Sequence, residues 1–395
     1  MDSFNNKFEV VAKTFVGLEN VLADEIRENG GEKIEIHNRA VSFETDLKGL
    51  YKFNLVLRTA LHLLVPLAKA NLNEGKELYD LAYNVEWEAI FKATKTFAVV
   101  SLVKSNLYNH TNYPALLVKD AIADRFNNKF DYRPSVSRFY PDVVVSVHVF
   151  GNEAKIFLDS SGISLHKRGY RIEKNIAPLN EVLAAGIILL SKWDKKTTFI
   201  DPMCGSGTFV IEAAMLANKI PPNLNRSKFS FKHWRNFDLK LFGKVKNLLK
   251  REITENNVRI IGNDISDTAI KIASSNAERA GVLNFIELNK TSFFEFIPPV
   301  GTKFLIFNPP YNKRIKLKNT ISFYRKIGDT LKRNYNNSVA WIFSANKQAL
   351  KKIGLSSSKK IVLDNGGTTS FLRRYEIYEG SKKAKSKSDI KISDE

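Results

Sequence analysis

The spacing of apolar positions changes repeatedly along the chain, and each change marks an element. Phe8 to Ala12 is a short apolar run; Leu18, Val21, Leu22, Glu25 and Ile26 set a helical face that stops at Gly30-Gly31; Val41 to Phe43 is again strand-like. From about residue 50 to 160 the pattern predicts a second α/β module. It comprises a helix through Tyr51 to Leu61, a strand at Thr96 to Val103, a helix at Pro114 to Phe126, and strands in "VVVSVHVF" and "EAKIFLDSS". A helix then begins after Pro178, a residue suited to a first turn. Beyond it strands and helices alternate as they do in parallel sheets. "TTFID" is followed by the helix "GTFVIEAAMLAN", "RIIGND" by a helix from Ser266 to Ala280, and then come "FIELN" and "KFLIFN". A helix from Ile321 to Arg333, the strand "SVAWIFSA" and a hairpin turning at Asp364-Asn365-Gly366-Gly367 complete the series. The expected class is α/β, with five parallel strands closed by an antiparallel hairpin.

The length of 395 residues allows two or three domains with real cores. No run of about 18 apolar residues occurs, and the N-terminus lacks the basic-then-apolar order of a signal peptide. The expectation is a soluble, cytoplasmic protein without membrane association. The single Cys204 excludes an internal disulfide and any multi-cysteine metal site, and six scattered histidines give no zinc spacing, so no metal is expected.

Charge changes the picture more. The chain carries a formal net charge of +20, and residues 1–165 hold 19 Lys+Arg against 21 Asp+Glu, whereas residues 166–395 hold 42 against 20. Such an excess is the electrostatic footprint of a nucleic-acid binder. The last residues, 381–395, read as a disordered basic arm, and removing them leaves most of the excess. Between the first helix and second strand of the alternating region lies a basic insertion, 219–255, with 10 Lys+Arg against 3 acids interleaved with Phe229, Phe231, Trp234 and Phe237. Two readings stand together: the aromatic and basic residues hold unstacked bases and phosphates of RNA, or the rings pack the segment onto its domain while the lysines are solvated.

Chemistry concentrates at the ends of the parallel strands, where ligands of open α/β sheets bind. "DPMCGSGTF" supplies a tight turn through Gly205 and Gly207 at a helix start. Val210 denies it the third glycine of a dinucleotide fingerprint, and no Lys makes it a phosphate loop. Asp201 would repel a pyrophosphate and suits a cofactor with a positively charged amino acid moiety, such as S-adenosylmethionine. Asp264, ending the second strand, is placed to accept ribose hydroxyls. "KFLIFNPPY" then ends its strand with Asn308, Pro309, Pro310 and Tyr311. Asn308 and the Pro309 carbonyl can accept the two hydrogens of a planar exocyclic amine, and Tyr311 can stack on its base. A cytosine C5 mechanism needs a thiolate, and Cys204, the only candidate, lies inside the cofactor loop.

"DPMCGSGTFVIEAA", "GNDIS" and "NPPY" in that order, preceded by "LHKRGYR" and "APLNEVLAA", resemble the THUMP-containing class I methyltransferases, most closely the bacterial family that methylates guanine N2 in 23S ribosomal RNA. The resemblance covers nearly the whole chain. It implies a ferredoxin-like domain over 1–50, a THUMP RNA-binding domain over 51–165 and a Rossmann-like methyltransferase domain over 166–380, whose sheet has seven mostly parallel strands. It implies S-adenosylmethionine bound by Asp201, Pro202, Cys204, Gly205, Ser206, Gly207, Asp264 and Ile265, with catalysis at Asn308, Pro309, Pro310 and Tyr311. The family often places an acid after the third strand for the adenine amino group; here Ser292 stands in its place. Asn312 replaces a frequent glycine, while Arg314 is kept, and the chain ends before any second, fused methyltransferase module. The implied partner is RNA, 23S rRNA or a large-subunit precursor, with the oligomeric state left open. A tRNA guanine-N2 or adenine-N6 methyltransferase, or a non-catalytic assembly factor, are the competing functions.

Overall fold

The computed structural model describes residues 6–171, 179–310 and 320–378. They form two compact units: one built from the chain up to Arg168 together with Pro221–Glu252, the other from Gly169–Ile220 and the chain from Ile253 onward.

The first unit is organised on one seven-stranded sheet. In chain order its elements are β1 (Phe8–Lys13), α1 (Glu19–Glu28), β2 (Glu32–His37), β3 (Ala40–Thr45), α2 (Leu47–Val56), β4 (His62–Asn71), α3 (Glu77–Tyr83), α4 (Trp87–Ile90), β5 (Phe97–Lys104), α5 (Tyr113–Phe130), β6 (Val143–Phe150) and β7 (Glu153–Asp159). The strand order is β2-β3-β1-β4-β7-β6-β5, with only β5 and β6 parallel. The central strand β4 departs from the periodicity reading, which gave it no element and extended the preceding helix to Leu61. Its middle residue, Pro66, argues against a central strand. Pro66 is accommodated at an irregularity, where the β4–β7 register shifts between Pro66 and Ala68. The buried Glu25 carboxylate on α1 then receives the backbone N–H groups of Arg58 and Thr59, at 2.9 Å each, and so fixes the chain entering β4.

The second unit opens with α6 (Glu181–Ser191), whose cap Asn180 accepts from the N–H of Val182 at 2.9 Å. Next come β8 (Thr198–Asp201) and α7 (Thr208–Ala217). After α8 (Leu239–Arg251), which belongs to the first unit, the series resumes with β9 (Ile260–Asp264), α9 (Asp267–Ala280), β10 (Glu287–Lys290), β11 (Lys303–Phe307), α10 (Thr320–Asn334), β12 (Ser338–Ser344), α11 (Lys347–Leu350), β13 (Ser357–Asn365) and β14 (Thr368–Ile377). The seven strands lie in the order β10-β9-β8-β11-β12-β14-β13. The first five are parallel, and β14 and β13 are antiparallel, as the alternation and final hairpin predict. Gly366 and Gly367, both at positive φ, make that hairpin turn between Asn365 and Thr368.

Residues 221–252, which the sequence reading placed within the methyltransferase domain over 166–380, group by contact with the first unit. Residues 221–252 pack within the first unit because their rings need an apolar cover. Phe229, Phe231 and Trp234 are buried, and Tyr51 on α2 has its ring 4.8 Å from Phe231, 5.8 Å from Phe237 and 5.6 Å from Phe242 of α8. The N–H of Asp238 donates to the Tyr51 hydroxyl at 3.0 Å, and the Arg226 guanidinium donates to the carbonyls of Ser164, at 2.9 Å, and of Ser161 and Ile163. The rings therefore pack, as the second reading expects, but against the first unit rather than the domain that holds the segment in sequence, and Lys240, Lys244 and Lys250 of α8 are exposed.

Candidate active site

The connections of the second sheet diverge at β8. From β8 the chain crosses to β9 and β10 on one side, then returns to β11 on the other. Neighbouring strands whose connections leave in opposite directions open a crevice at their carboxyl ends. Leu305 of β11 lies opposite Ile200 of β8, so Asp201 stands one residue past that rung and Asn308 three. Asp201 in turn pairs with Gly262 of β9, which puts Asp264 two residues beyond, opposite Lys290 of β10. Three predicted residues thus converge at one end of the sheet through strand register alone.

The loop after β8 needs its glycines. Gly205 and Gly207 have φ of 53° and 82°, a region that disfavours residues with a Cβ. A Cβ on Gly207 would also press within 3.0 Å of the Ala273 Cβ on α9. The Gly205 N–H donates to Asp264 Oδ2 at 2.9 Å, and the Ser266 N–H donates to Asp264 Oδ1 at 2.9 Å. Each carboxylate oxygen keeps a further lone pair, so Asp264 is oriented and still able to accept. Ile265, just past the end of β9, is 74% exposed, an uncovered apolar side chain beside Asp264. Pro202, Cys204 and Ser206 are buried beneath the loop. The Ser206 carbonyl accepts from Asn276 Nδ2 of α9 at 3.0 Å, and the N–H of Cys204 donates to the Asn263 carbonyl at 2.8 Å. Ser292 follows Thr291, whose N–H reaches the Asp264 carbonyl at 3.0 Å, and its hydroxyl accepts from the Phe294 N–H at 3.3 Å.

Burial and the neighbouring charge of Asp264 set the electrostatics. Asp201 is 2% exposed, and burial pushes its carboxyl well above the usual carboxylate range; the Asp264 charge adds to the rise, while the Met203 N–H, donating at 3.2 Å, opposes it. Two acids held so close make a site that favours a cation. The Cys204 thiol is likewise pushed up by burial and by both carboxylates, which leaves it protonated and unfit as a nucleophile.

At the other lip, Pro309 is buried and Pro310 half-buried, while the Asn308 side-chain oxygen is buried without a hydrogen-bond partner among the described residues. Tyr311 lies outside the described residues. Sequence reasoning missed four polar residues here. Asn263, fully buried, accepts from Asn289 Nδ2 at 3.1 Å and has no partner for its own Nδ2 among the described residues. Asn276 holds the glycine loop from α9. Arg171 donates to Thr208 Oγ1 at 2.6 Å and pairs with Glu181 at 3.2 Å, which fixes the first turn of α7. These residues act across elements, and only Asn263, inside "GNDIS", and Arg171, inside "LHKRGYR", lie in motifs with a local signal.

These residues fit a cationic nucleoside cofactor: a buried acid, an oriented acid, glycines at the helix start and, at the end of the neighbouring strand, an amide oxygen without a partner among the described residues. Comparison with known proteins agrees. The family model for the RMKL-like methyltransferase domain matches residues 168–373, that for the THUMP domain 74–159 and that for the RlmL ferredoxin-like domain 9–64. A Synechocystis protein, slr0064, named provisionally as an RNA methyltransferase, is 34% identical over 94% of this chain and 96% of its own. The ribosomal RNA large subunit methyltransferase K/L of Shewanella oneidensis is 33% identical over 92% of this chain, which spans 52% of that protein. Among solved structures, SMU.472 complexed with SAH covers 95% of this chain and 99% of its own at a TM-score of 0.84 and 29% identity. One from Listeria monocytogenes, named as a predicted N6-adenine-specific DNA methylase, covers 94% and 97% at 0.83 and 27%. The chain belongs to the RMKL-like methyltransferase family, with the THUMP and RlmL ferredoxin-like domains preceding its methyltransferase domain.

Proposed function

We propose that this chain is an S-adenosylmethionine-dependent RNA methyltransferase acting in the cytoplasm on the exocyclic N2 amine of a guanine, in 23S rRNA or its large-subunit precursor. The observation that carries the reading is the Asn308 side-chain oxygen, buried without a hydrogen-bond partner among the described residues, at the end of the strand beside the one that ends in Asp201. An orphaned buried acceptor costs about 1–3 kcal/mol, and a ligand N–H at that point removes the cost. The SAH in SMU.472 and the ribosomal RNA named for the K/L relatives supply the cofactor and substrate class. Since the chain spans about half the K/L proteins, their full activity is not carried over.

The bound cofactor would supply an activated methyl group. Asp201 and the 205–207 glycines would hold its amino acid end, Asp264 its ribose, and Ile265 and Ser292 the base. Asn308 and the Pro309 carbonyl accept the two hydrogens of the target amine, which withdraws its lone pair from the ring and directs it along one line. Tyr311, outside the described residues, would stack on the target base. The work is orientation and charge stabilisation, with no covalent attack by the protein.

Asn308→Ala is expected to leave cofactor affinity nearly unchanged and to lower the single-turnover methyl-transfer rate by ~10²–10³. Wild-type rates in a folded variant would remove the support for the site. Because the Listeria relative is named for adenine N6, nucleoside analysis of the product decides the base: N2-methylguanine supports the proposal and N6-methyladenine replaces it.

A further inference from the structure

The first unit displays two aromatic side chains that its packing does not use. Phe139 is 84% exposed and Tyr140 is 70% exposed, at the tip of the connection between α5 and β6. Tyr140 has φ of 55°, a backbone region unusual for a bulky residue. Local strain of this kind persists when the surroundings over-determine it, and it concentrates at ligand-contacting positions.

The surroundings do over-determine it. On the incoming side, Val136 bridges to Phe97 at the edge of the sheet, where the Phe97 N–H donates to Ser135 and the Ser137 N–H donates to Phe97, each at 3.0 Å. The Ser137 hydroxyl then donates to the Phe139 carbonyl at 2.7 Å. On the outgoing side, Asp142 accepts from the N–H of Thr96 at 3.0 Å and pairs with His233 at 3.3 Å. The Ser230 hydroxyl donates to the Asp142 carbonyl at 3.1 Å. Ser230 and His233 come from the inserted segment, and so does Lys228, whose ammonium sits 4.4 Å from the Tyr140 ring centroid. Arg138, exposed beside the rings, makes no ion pair among the described residues. The tip therefore presents two exposed rings on an anchored backbone, with the Lys228 ammonium over one ring and the exposed Arg138 next to Phe139 in sequence.

We infer that Phe139 and Tyr140 form a stacking platform for unpaired bases of single-stranded RNA, with Arg138 and Lys228 on the adjoining phosphates. Rings with guanidinium and ammonium groups beside them recognise an unstacked base and its backbone together, whereas a protein partner would call for a wider apolar surround. The neighbouring apolar side chains among the described residues, Val100, Leu102, Tyr132 and Val136, are each only about half exposed. This inference rests on the RNA substrate proposed above and adds a contact surface built jointly by the loop and the insertion.

The test uses the full chain and measures affinity for a 12-nucleotide single-stranded RNA and for a duplex of similar length, at fixed salt. Phe139→Ala and Tyr140→Ala are each expected to weaken single-strand binding about tenfold, as the loss of one base–aromatic stack does, and to change duplex binding less than twofold. Tyr140→Phe keeps wild-type affinity. Tyr140→Gly separates ligand contact from folding: glycine suits the positive φ, so the melting temperature holds or rises while single-strand affinity falls. Wild-type affinity in both alanine variants would overturn the platform while leaving the RNA reading intact, and would assign the rings to a protein partner. Failure of the wild-type chain to bind either RNA would overturn both.

Discussion

At the residue scale the most informative group is Asp201. Its folded-state pKa is raised by burial and by Asp264, so its effect on stability has a definite sign. Such a group leaves folding undisturbed below its unfolded pKa, and stability is lost as pH rises through the raised, folded value. The cofactor-free protein at neutral pH therefore carries a destabilising acid, which the ammonium group of a cofactor bound as proposed would relieve. Asp201→Asn keeps the acceptor for the Met203 N–H and removes the charge. It should raise the melting temperature of the cofactor-free protein at pH 7, narrow the gain on acidification, and weaken S-adenosylmethionine binding roughly tenfold to a hundredfold. Calorimetry that finds full affinity in this variant would show that Asp201 does not face the cofactor's positive charge. The residues readable from sequence were those whose type is forced by the backbone or by ligand chemistry, such as Gly205, Gly207 and Asp264. The contacts of Asn276 and Arg171 were not readable, because each acts on another element distant in the chain, Asn276 on the glycine loop and Arg171 on the first turn of α7.

At the scale of elements, the strands and helices of the second unit were largely legible, since long apolar runs alternate there with amphipathic helices. β4 was not, because the proline that argues against a strand is absorbed by a register shift visible only once β7 lies beside it. The seat of the insertion was not legible either: periodicity shows that Phe229, Phe231 and Trp234 want burial but not which surface buries them. The answer turns on Tyr51, whose hydroxyl is pushed to a pKa of about 12 by burial and whose ring meets three phenylalanines of the insertion. Tyr51→Ala should cost about 3–5 kcal/mol, the range for truncating a large buried aromatic residue. Tyr51→Phe, losing only the bond from the Asp238 N–H, should cost about 0.5–1.5 kcal/mol. Denaturant titration of both variants checks the ordering; equal, small losses would mean that the insertion is not held through this ring.

For the whole molecule, seating the insertion in the first unit redistributes charge. That unit holds 30 Lys+Arg against 23 Asp+Glu, and the second 31 against 18, so both are basic, where a cut at residue 165 made the N-terminal part slightly acidic. The insertion also leaves and rejoins the second unit at one point. The Thr254 N–H donates to the Asn218 carbonyl at 3.1 Å, and the Asn256 N–H donates to Asn218 Oδ1 at 2.7 Å. Closing a gap whose ends already meet costs little chain entropy. A fragment of residues 169–378 in which 221–252 are replaced by a short Gly-Ser linker should therefore fold, remain soluble and bind S-adenosylmethionine within a few-fold of the full chain. The same fragment carrying its native 221–252 should aggregate, because Phe229, Phe231, Trp234 and Phe242 would have lost the Tyr51 surface that buries them. Sedimentation and calorimetry on the two fragments separate the cases, and the opposite outcome, a native-insertion fragment that is soluble and binds while the excised one does not, would return 221–252 to the methyltransferase domain.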